Sequence, residues 1–289
     1  MAAESAPLGI VAASGFLPIQ IARVASDSGR PVHIVGLEGL HHPAIAEFSH
    51  VSVKWGQVGR LVTFFRDNSV AEVVIIGAVD QRPDIRQLAF DAMGLQMMPR
   101  ILATMSKGGD DAILRAVVER FEEKGFAVVG AHQIDRSITA DAGAVAGRAP
   151  RALDDDGRVA LRAAGLVGEL DIGQGAVAVD QRVVALEAAE GTDQMLERVR
   201  RLRESRRVRW RGRRGVLAKR AKPGQDLRVD MPVIGPRTVE AVAAAGLAGI
   251  VIEAERVMIA DRAETIRLAE ATGTYVLAVR TDPAGAPVP

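Results

Sequence analysis

The stretch Asp171-Ile-Gly-Gln-Gly-Ala-Val-Ala-Val-Asp-Gln-Arg-Val-Val-Ala-Leu-Glu-Ala-Ala-Glu-Gly-Thr-Asp193 sets two acidic clusters and a glycine pair around short apolar runs that read as strands. A hairpin in an ordinary core has no need of Gly173, Gly175, Glu187, Glu190, Gly191 and Asp193 so close together. Glycine weakens a strand, and a buried carboxylate must find a partner. The economical reading is a site for a phosphate and a metal ion.

Working outward, Val159 to Leu170 reads as a helix before this stretch. Thr192 or Asp193 is placed to cap a helix after it, ahead of Met195, Leu196 and Val199. That helix runs into ten arginines between Arg198 and Arg214 around a single Trp210. A solvated helix and loop explains such a run, and contact with anionic lipid headgroups is the functional alternative. Nucleic acid is not expected, since one aromatic offers little for stacking. Gly215 to Lys219 reads as a strand leaving into a loop that carries Lys222. Asp230 then stands in the apolar, proline-flanked segment Val229 to Pro236, where an ionised carboxylate needs a metal, a cation or hydrogen bonds. Thr238 caps a helix through Ala245, Ile250 to Glu253 is a strand, Arg262 to Thr272 a helix and Tyr275 to Val279 a last strand.

The first half alternates in the same way. Leu8 to Ala12 is a strand, Ala13-Ser14-Gly15 a turn, Leu17 to Ser28 a helix, and Val32 to Leu37 a second strand. This is a βαβ unit whose first turn lies at the carboxyl edge of a parallel sheet. Val70 to Ile76 is another buried strand, leading to Arg82 and Asp84. Those two are candidates for a phosphate or ribose contact, or else belong to a capped turn around Pro83. Asp110 and Asp111, after two glycines, suit a helix cap with room for a polar contact. His132 follows a strand at Phe126 to Val129, where a structural hydrogen bond accounts for it better than catalysis. The composition shifts toward Gly, Ala and Pro between Asp135 and Asp156. The expected organisation is therefore α/β in two domains: a Rossmann-like parallel sheet over 1–135, a linker over 136–157, and a carboxy-terminal α/β domain over 158–289.

Composition bounds the rest. The chain of 289 residues is 48% hydrophobic and 25% charged, as globular proteins are, and long enough for two domains. Aromatics are only 3%, so the cores are built from Ala, Val, Leu and Ile. A net charge of +1 gives no global reason to bind nucleic acid. The absence of cysteine excludes disulfides, thiolate metal sites and cysteine nucleophiles. The amino terminus does not read as a secretory signal, and uncharged segments such as Ala241 to Ile252 fall short of the roughly 18 apolar residues of a membrane span. A soluble cytoplasmic protein is expected.

These motifs together resemble the LpxI-type UDP-2,3-diacylglucosamine pyrophosphatases of lipid A biosynthesis. The likeness runs through Asp171 to Val177, Glu187 to Asp193, Gly215 to Lys219 with Lys222-Pro223, and Arg228 to Gly235. In the first half it rests on Leu17-Pro18, Arg82-Pro83-Asp84, Gly109-Asp110-Asp111 and Gly130-Ala131-His132. The resemblance implies hydrolysis of the pyrophosphate of UDP-2,3-diacylglucosamine to UMP and 2,3-diacylglucosamine 1-phosphate (lipid X). It also implies a divalent metal, normally Mg²⁺, and a substrate cleft between two α/β domains.

On this reading Asp230, Asp193, Lys219 and Lys222 are the catalytic candidates. Asp230 and Asp193 hold metal or orient water, Glu190 and Glu187 are weaker metal candidates, and the two lysines steady the diphosphate. Substrate contacts are assigned to Ala13, Ser14, Gly15, Arg82, Asp84, Asp110, Asp111 and His132, and to Asp171, Gly173, Gln174, Gly175 and Thr192. One departure stands out: Ala13 and Ser14 replace a usually glycine-rich loop. Alanine does not take φ > 0 cheaply, so the loop is either shifted or meets its ligand through the Ser14 hydroxyl. The alternative function is a nucleotide-sugar or lipid binding protein without turnover. The expected partners are the UDP-linked diacylated glucosamine, an anionic inner-membrane surface facing Arg198 to Arg214, and a second copy in a homodimer.

Overall fold

A computed structural model describes residues 6–79, 88–96, 110–150, 153–282 and 288, with the backbone alone described over 110–113. The chain forms two compact units. One comprises Met1–Asp135 with Arg228–Asp230, the other Arg136–Leu227 with Met231–Pro289.

In the first unit, β1 (Leu8–Ala12), β2 (Val32–Leu37), β3 (Ser49–Val53), β4 (Glu72–Ile76) and β5 (Ala127–Val128) form a parallel sheet in the order β3-β2-β1-β4-β5. The helices α1 (Leu17–Asp27), α2 (Val58–Asp67) and α3 (Asp110–Glu123) lie between its strands in the chain. β1 is buried along its whole length, as a central strand covered on both faces must be, which is why it reads as an unbroken apolar run. The chain leaves β1 toward β2 on one side and leaves β4 toward β5 on the other. That reversal of strand order marks the point where such sheets receive ligands. A short helix, α4 (Ala131–Ile134), follows β5.

The second unit holds a six-stranded mixed sheet in the order β6-β13-β11-β9-β7-β8. Its strands are β6 (Gly143–Ala146), β7 (Gly175–Val179), β8 (Arg182–Leu186), β9 (Val216–Lys219), β11 (Gly249–Glu253) and β13 (Tyr275–Val279). β9, β11 and β13 run parallel, while β6 and β7 are antiparallel to their neighbours. β10 (Val233–Ile234) and β12 (Met258–Ile259) pair separately. One face buries Leu161 of α5 (Asp155–Glu169) with Ala178, Ala218, Val251 and Leu277. The other buries Met195 and Val199 of α6 (Gly191–Glu204), Val242 of α7 (Pro236–Ala244) and Ala269 of α8 (Arg262–Thr272) with Val177, Leu217, Ile250 and Ile252. β7 and β8 form a hairpin whose two turn residues, Asp180 and Gln181, both take positive φ (52° and 62°), the turn geometry that matches strand twist.

The segment expected as a linker, 136–157, carries structure. β6 closes one edge of the second sheet, Leu153 is buried, and Asp154 caps α5 by accepting from the Gly157 N–H at 2.8 Å. Short side chains explain this: Gly143, Ala144 and Ala146 can pair with β13 as an edge strand while burying little apolar surface. Among the described residues no helix is long and apolar enough to cross a membrane.

The backbone makes one demand that is easy to test. Gly77 has φ 115°, and a Cβ there would lie 2.7 Å from the Ala13 carbonyl carbon, whereas Gly29 has φ 84° with open space around it. Gly77→Ala should therefore destabilise the first unit by about 3 kcal/mol and Gly29→Ala by about 1 kcal/mol. Urea unfolding followed by Trp55 fluorescence in a Trp210→Phe background separates the two, and equal midpoints would refute the steric account.

Candidate active site

Strand direction gathers the second-half motifs. β9 ends, β7 begins and β8 ends at the same edge of the sheet, with Gly175 opposite Lys219 and Ala176 opposite Leu186. The opening glycines, Glu187 and the loop Lys219 to Lys222 thus share one edge, together with the carboxyl end of β11.

Glu187 is buried, and its Oε1 accepts a hydrogen bond from the Thr192 hydroxyl at 2.9 Å. Its Oε2 is buried with no hydrogen-bond partner among the described residues. The glycine pair makes room for this residue. A Cβ on Gly175 would come within 2.4 Å of Oε2, and one on Gly173 within 2.2 Å of the Glu187 carbonyl oxygen. Close approach of backbone to residue 187 is therefore one reason for two glycines in this strand entry.

The cations of the following loop are tightly held. Lys219 is buried and its Nζ donates to the Val233 carbonyl at 3.0 Å. Lys222 Nζ pairs with Asp171 at 2.7 Å, the lysine mostly covered and the aspartate half-exposed. Asp171 stands at φ 53°, in the left-handed region at the turn after α5. The Gln174 carbonyl accepts from the Arg220 N–H at 3.1 Å, so its backbone helps fix the loop.

Two residues of this edge escaped the sequence reading. Arg220 and Glu253 are both buried, 3.9 Å apart, and Arg220 Nε and Nη1 lack partners among the described residues. Glu253 accepts from the Ala221 N–H at 3.0 Å and from the Thr281 hydroxyl at 2.6 Å. The available signal was a charge at the end of each of two apolar strands, Arg220 after β9 and Glu253 closing β11.

Other expected residues are placed differently. α6 is capped by neither Thr192 nor Asp193. Its N-cap is Glu190, with no side-chain bond, and Gly191 at φ 77° turns the chain into the helix. The Thr192 hydroxyl is engaged by Glu187, while Asp193 pairs with Arg237 at 2.6 Å and Glu190 with Arg198 at 2.8 Å. Asp230 groups with the first unit. No three carboxylate or histidine side chains come together as a metal cage among the described residues. Mg²⁺ does not require one, because one or two carboxylates plus substrate phosphates ordinarily hold it.

In the first unit, the loops leaving β1 and β4 are stitched together. Ser14 N–H donates to the Ala78 carbonyl and Ala78 N–H to the Ser14 carbonyl, both at 3.1 Å, and the Ser14 hydroxyl donates to Ala78 O at 2.7 Å. Left-handed backbone is taken by Gly15 (φ 96°) and Gly77 (φ 115°), whereas Ala13 is buried and needs no positive φ. The alanine at this position is thus accommodated without strain. The Ser14 hydroxyl proton is committed, which leaves its oxygen as an acceptor. His132 lies in α4 with its ring over Gly130, where a Cβ would meet Cε1 at 2.4 Å, and partial burial lowers its pKa. Arg82 and Asp84 lie outside the described residues, as do the side chains of Asp110 and Asp111.

The fold and this edge define a two-unit α/β protein with cations, carboxylates and glycines gathered at strand ends. The chain belongs to the LpxI family: the LpxI N-terminal domain matches residues 7–138 and the LpxI C-terminal domain residues 141–277. It is 40% identical over 274 residues to the UDP-2,3-diacylglucosamine pyrophosphatase LpxI of Caulobacter vibrioides, covering 94% of this chain and 97% of that protein.

Two measurements probe these contacts. In a double-mutant cycle, Glu187→Ala should relieve part of the destabilisation caused by Gly175→Ala, with a coupling of about 1 kcal/mol or more; additive effects would show that Oε2 does not press on residue 175. His132 has a folded pKa below its ordinary value of 6.5. The unfolded chain therefore takes up the proton first, and the contribution of His132 to stability is full above pH 6.5 and lost as pH falls below it. His132→Gln should flatten this acid-side loss, and an unchanged pH profile of the first unit's unfolding would exclude the assignment.

Proposed function

We propose that this protein hydrolyses the pyrophosphate bond of UDP-2,3-diacylglucosamine, releasing UMP and 2,3-diacylglucosamine 1-phosphate in lipid A biosynthesis. The observation that carries the reading is the convergence of Lys219, the Lys222–Asp171 pair and the glycine-rich strand entry on one sheet edge, in a chain of this family. Splitting a phosphoric anhydride requires neutralised phosphate charge, an oriented water and a stabilised leaving phosphate.

Lys222 carries its charge to that edge, with Asp171 holding the ammonium in place until phosphate oxygens share it. Lys219, buried and tied to the Val233 carbonyl, supplies a second fixed cation without reorganisation. The Gly173 to Gly175 backbone admits a close approach that side chains would block. Asp230 is the first candidate to hold magnesium, which would supply Lewis-acid stabilisation of the phosphate oxygens. Asp193 and Glu190 are less suited, being engaged by arginines. The two acyl chains of the substrate hold it in a bilayer, at about 0.8 kcal/mol per buried CH₂, so the reaction takes place at the cytoplasmic face of the inner membrane. A homodimer belongs to the same reading.

Purified protein should release UMP from UDP-2,3-diacylglucosamine with Mg²⁺ and stop when a chelator is added. Asp230→Ala should abolish release with the fold intact, and Lys222→Ala should lower kcat/KM by about 100-fold. A folded, active Asp230→Ala variant would remove that residue from the mechanism. Metal-independent UDP binding with no product after long incubation would replace the hydrolase by a binding protein.

A further inference from the structure

The ten arginines of residues 198–214 fall into two sets. Six are used internally. Arg198, Arg200 and Arg201 pair with Glu190, Glu197 and Glu204, and Arg214 pairs with Asp180. Arg213 donates to the Leu247 carbonyl at 2.8 Å and Arg203 to the Gly212 carbonyl at 2.8 Å. Arg206, Arg207, Arg209 and Arg211 differ: all four are exposed, with no carboxylate partner among the described residues. Arg209 Nε donates only to the Arg206 carbonyl, at 3.2 Å.

We propose that Arg206, Arg207, Arg209 and Arg211 form a docking surface for the anionic headgroups of a lipid bilayer. The loop that carries them is anchored at both ends rather than loose. Trp210 donates from Nε1 to the Gly246 carbonyl at 3.0 Å and packs against the second unit's core, and Arg214 N–H bonds the same carbonyl at 3.3 Å. The four guanidiniums are thus displayed on a fixed base. Arg206 itself stands at φ 57°, past the end of α6, a position where glycine is the usual residue. An arginine kept there, without an internal partner, is consistent with a use outside the chain.

Trp210 also decides between polyanions. Its ring is covered by Arg203, whose guanidinium carbon lies 5.2 Å from the ring centroid, and its N–H is spent on Gly246. No stacking platform is left for nucleobases, whereas guanidinium forks match lipid phosphate oxygens without one. With a net charge of only +1 over the whole chain, attraction to an anionic surface needs a local concentration of cations, which this cluster supplies. The surface deepens the proposed activity, which places the substrate in a bilayer, but its test needs no substrate.

Wild-type protein is sedimented with vesicles of phosphatidylcholine alone and with vesicles containing phosphatidylglycerol. It should bind only the anionic vesicles, and less at high salt. The variant Arg206→Gly, Arg207→Gln, Arg209→Gln, Arg211→Gln should keep its circular dichroism and lose binding by about 100-fold. UMP release from detergent-dispersed substrate should be equal in the two proteins. If release is absent from both while vesicle binding still differs, the activity fails and the docking surface stands. Equal sedimentation of wild type and variant, equal binding to neutral vesicles, or no binding to anionic ones would overturn the proposal. So would tighter binding of a single-stranded polynucleotide than of the vesicles.

Discussion

The second unit depends on a carboxylate that has been taken out of water. Glu187 sits where β8 ends, pressed against the backbone at which β7 begins, with one oxygen held by Thr192 and the other without a partner among the described residues. An unsatisfied buried oxygen costs about 1–3 kcal/mol, and charge raises that figure. Gly173 and Gly175 lack side chains because residue 187 occupies that space. The same pairing sets Gly175 opposite Lys219 and so fixes where the lysine loop leaves the sheet.

On the other face, Arg220 and Glu253 form a second buried polar pair at the same edge. Glu253 accepts from the Ala221 backbone and the Thr281 hydroxyl, which ties the ends of β9, β11 and β13 together, and it forms an ion pair with Arg256 at 3.3 Å. Buried ion pairs contribute little net stability, and their usual return is a defined arrangement. Here that arrangement is a firm edge beneath Lys219 and Lys222. The first unit achieves a comparable firmness with backbone alone, joining the loops after β1 and β4 through Ser14 and Ala78.

Much of the fold was legible in the residues. β1, β2 and β13 run over the very residues of their apolar runs, Leu8–Ala12, Val32–Leu37 and Tyr275–Val279, because strands inside a sheet are largely buried on both faces, and His33 is the one strongly polar side chain among these residues. The stretch 136–157 was harder. Its Gly and Ala content reads as a linker, yet an edge strand needs only backbone pairing on one side, and β6 supplies that. The alanine of the first loop was equally opaque, since the positive φ angles that the turn needs fall on Gly15 and Gly77, the latter far away in sequence.

By itself the sequence determined the alternation of strands and helices, the division into α/β halves and the residue types available for phosphate chemistry, because these follow from local periodicity and composition. Only the tertiary structure decided which of those residues meet. Asp193 read as a stronger candidate than Glu190 and Glu187, yet Asp193 and Glu190 turn to Arg237 and Arg198 on the surface, while Glu187 turns inward beside Gly175. Likewise six arginines are used within the protein and four are left outward. The physical reason is that a charge's partner is set by strand register and helix placement, which bring together groups from distant parts of the chain that no local pattern connects.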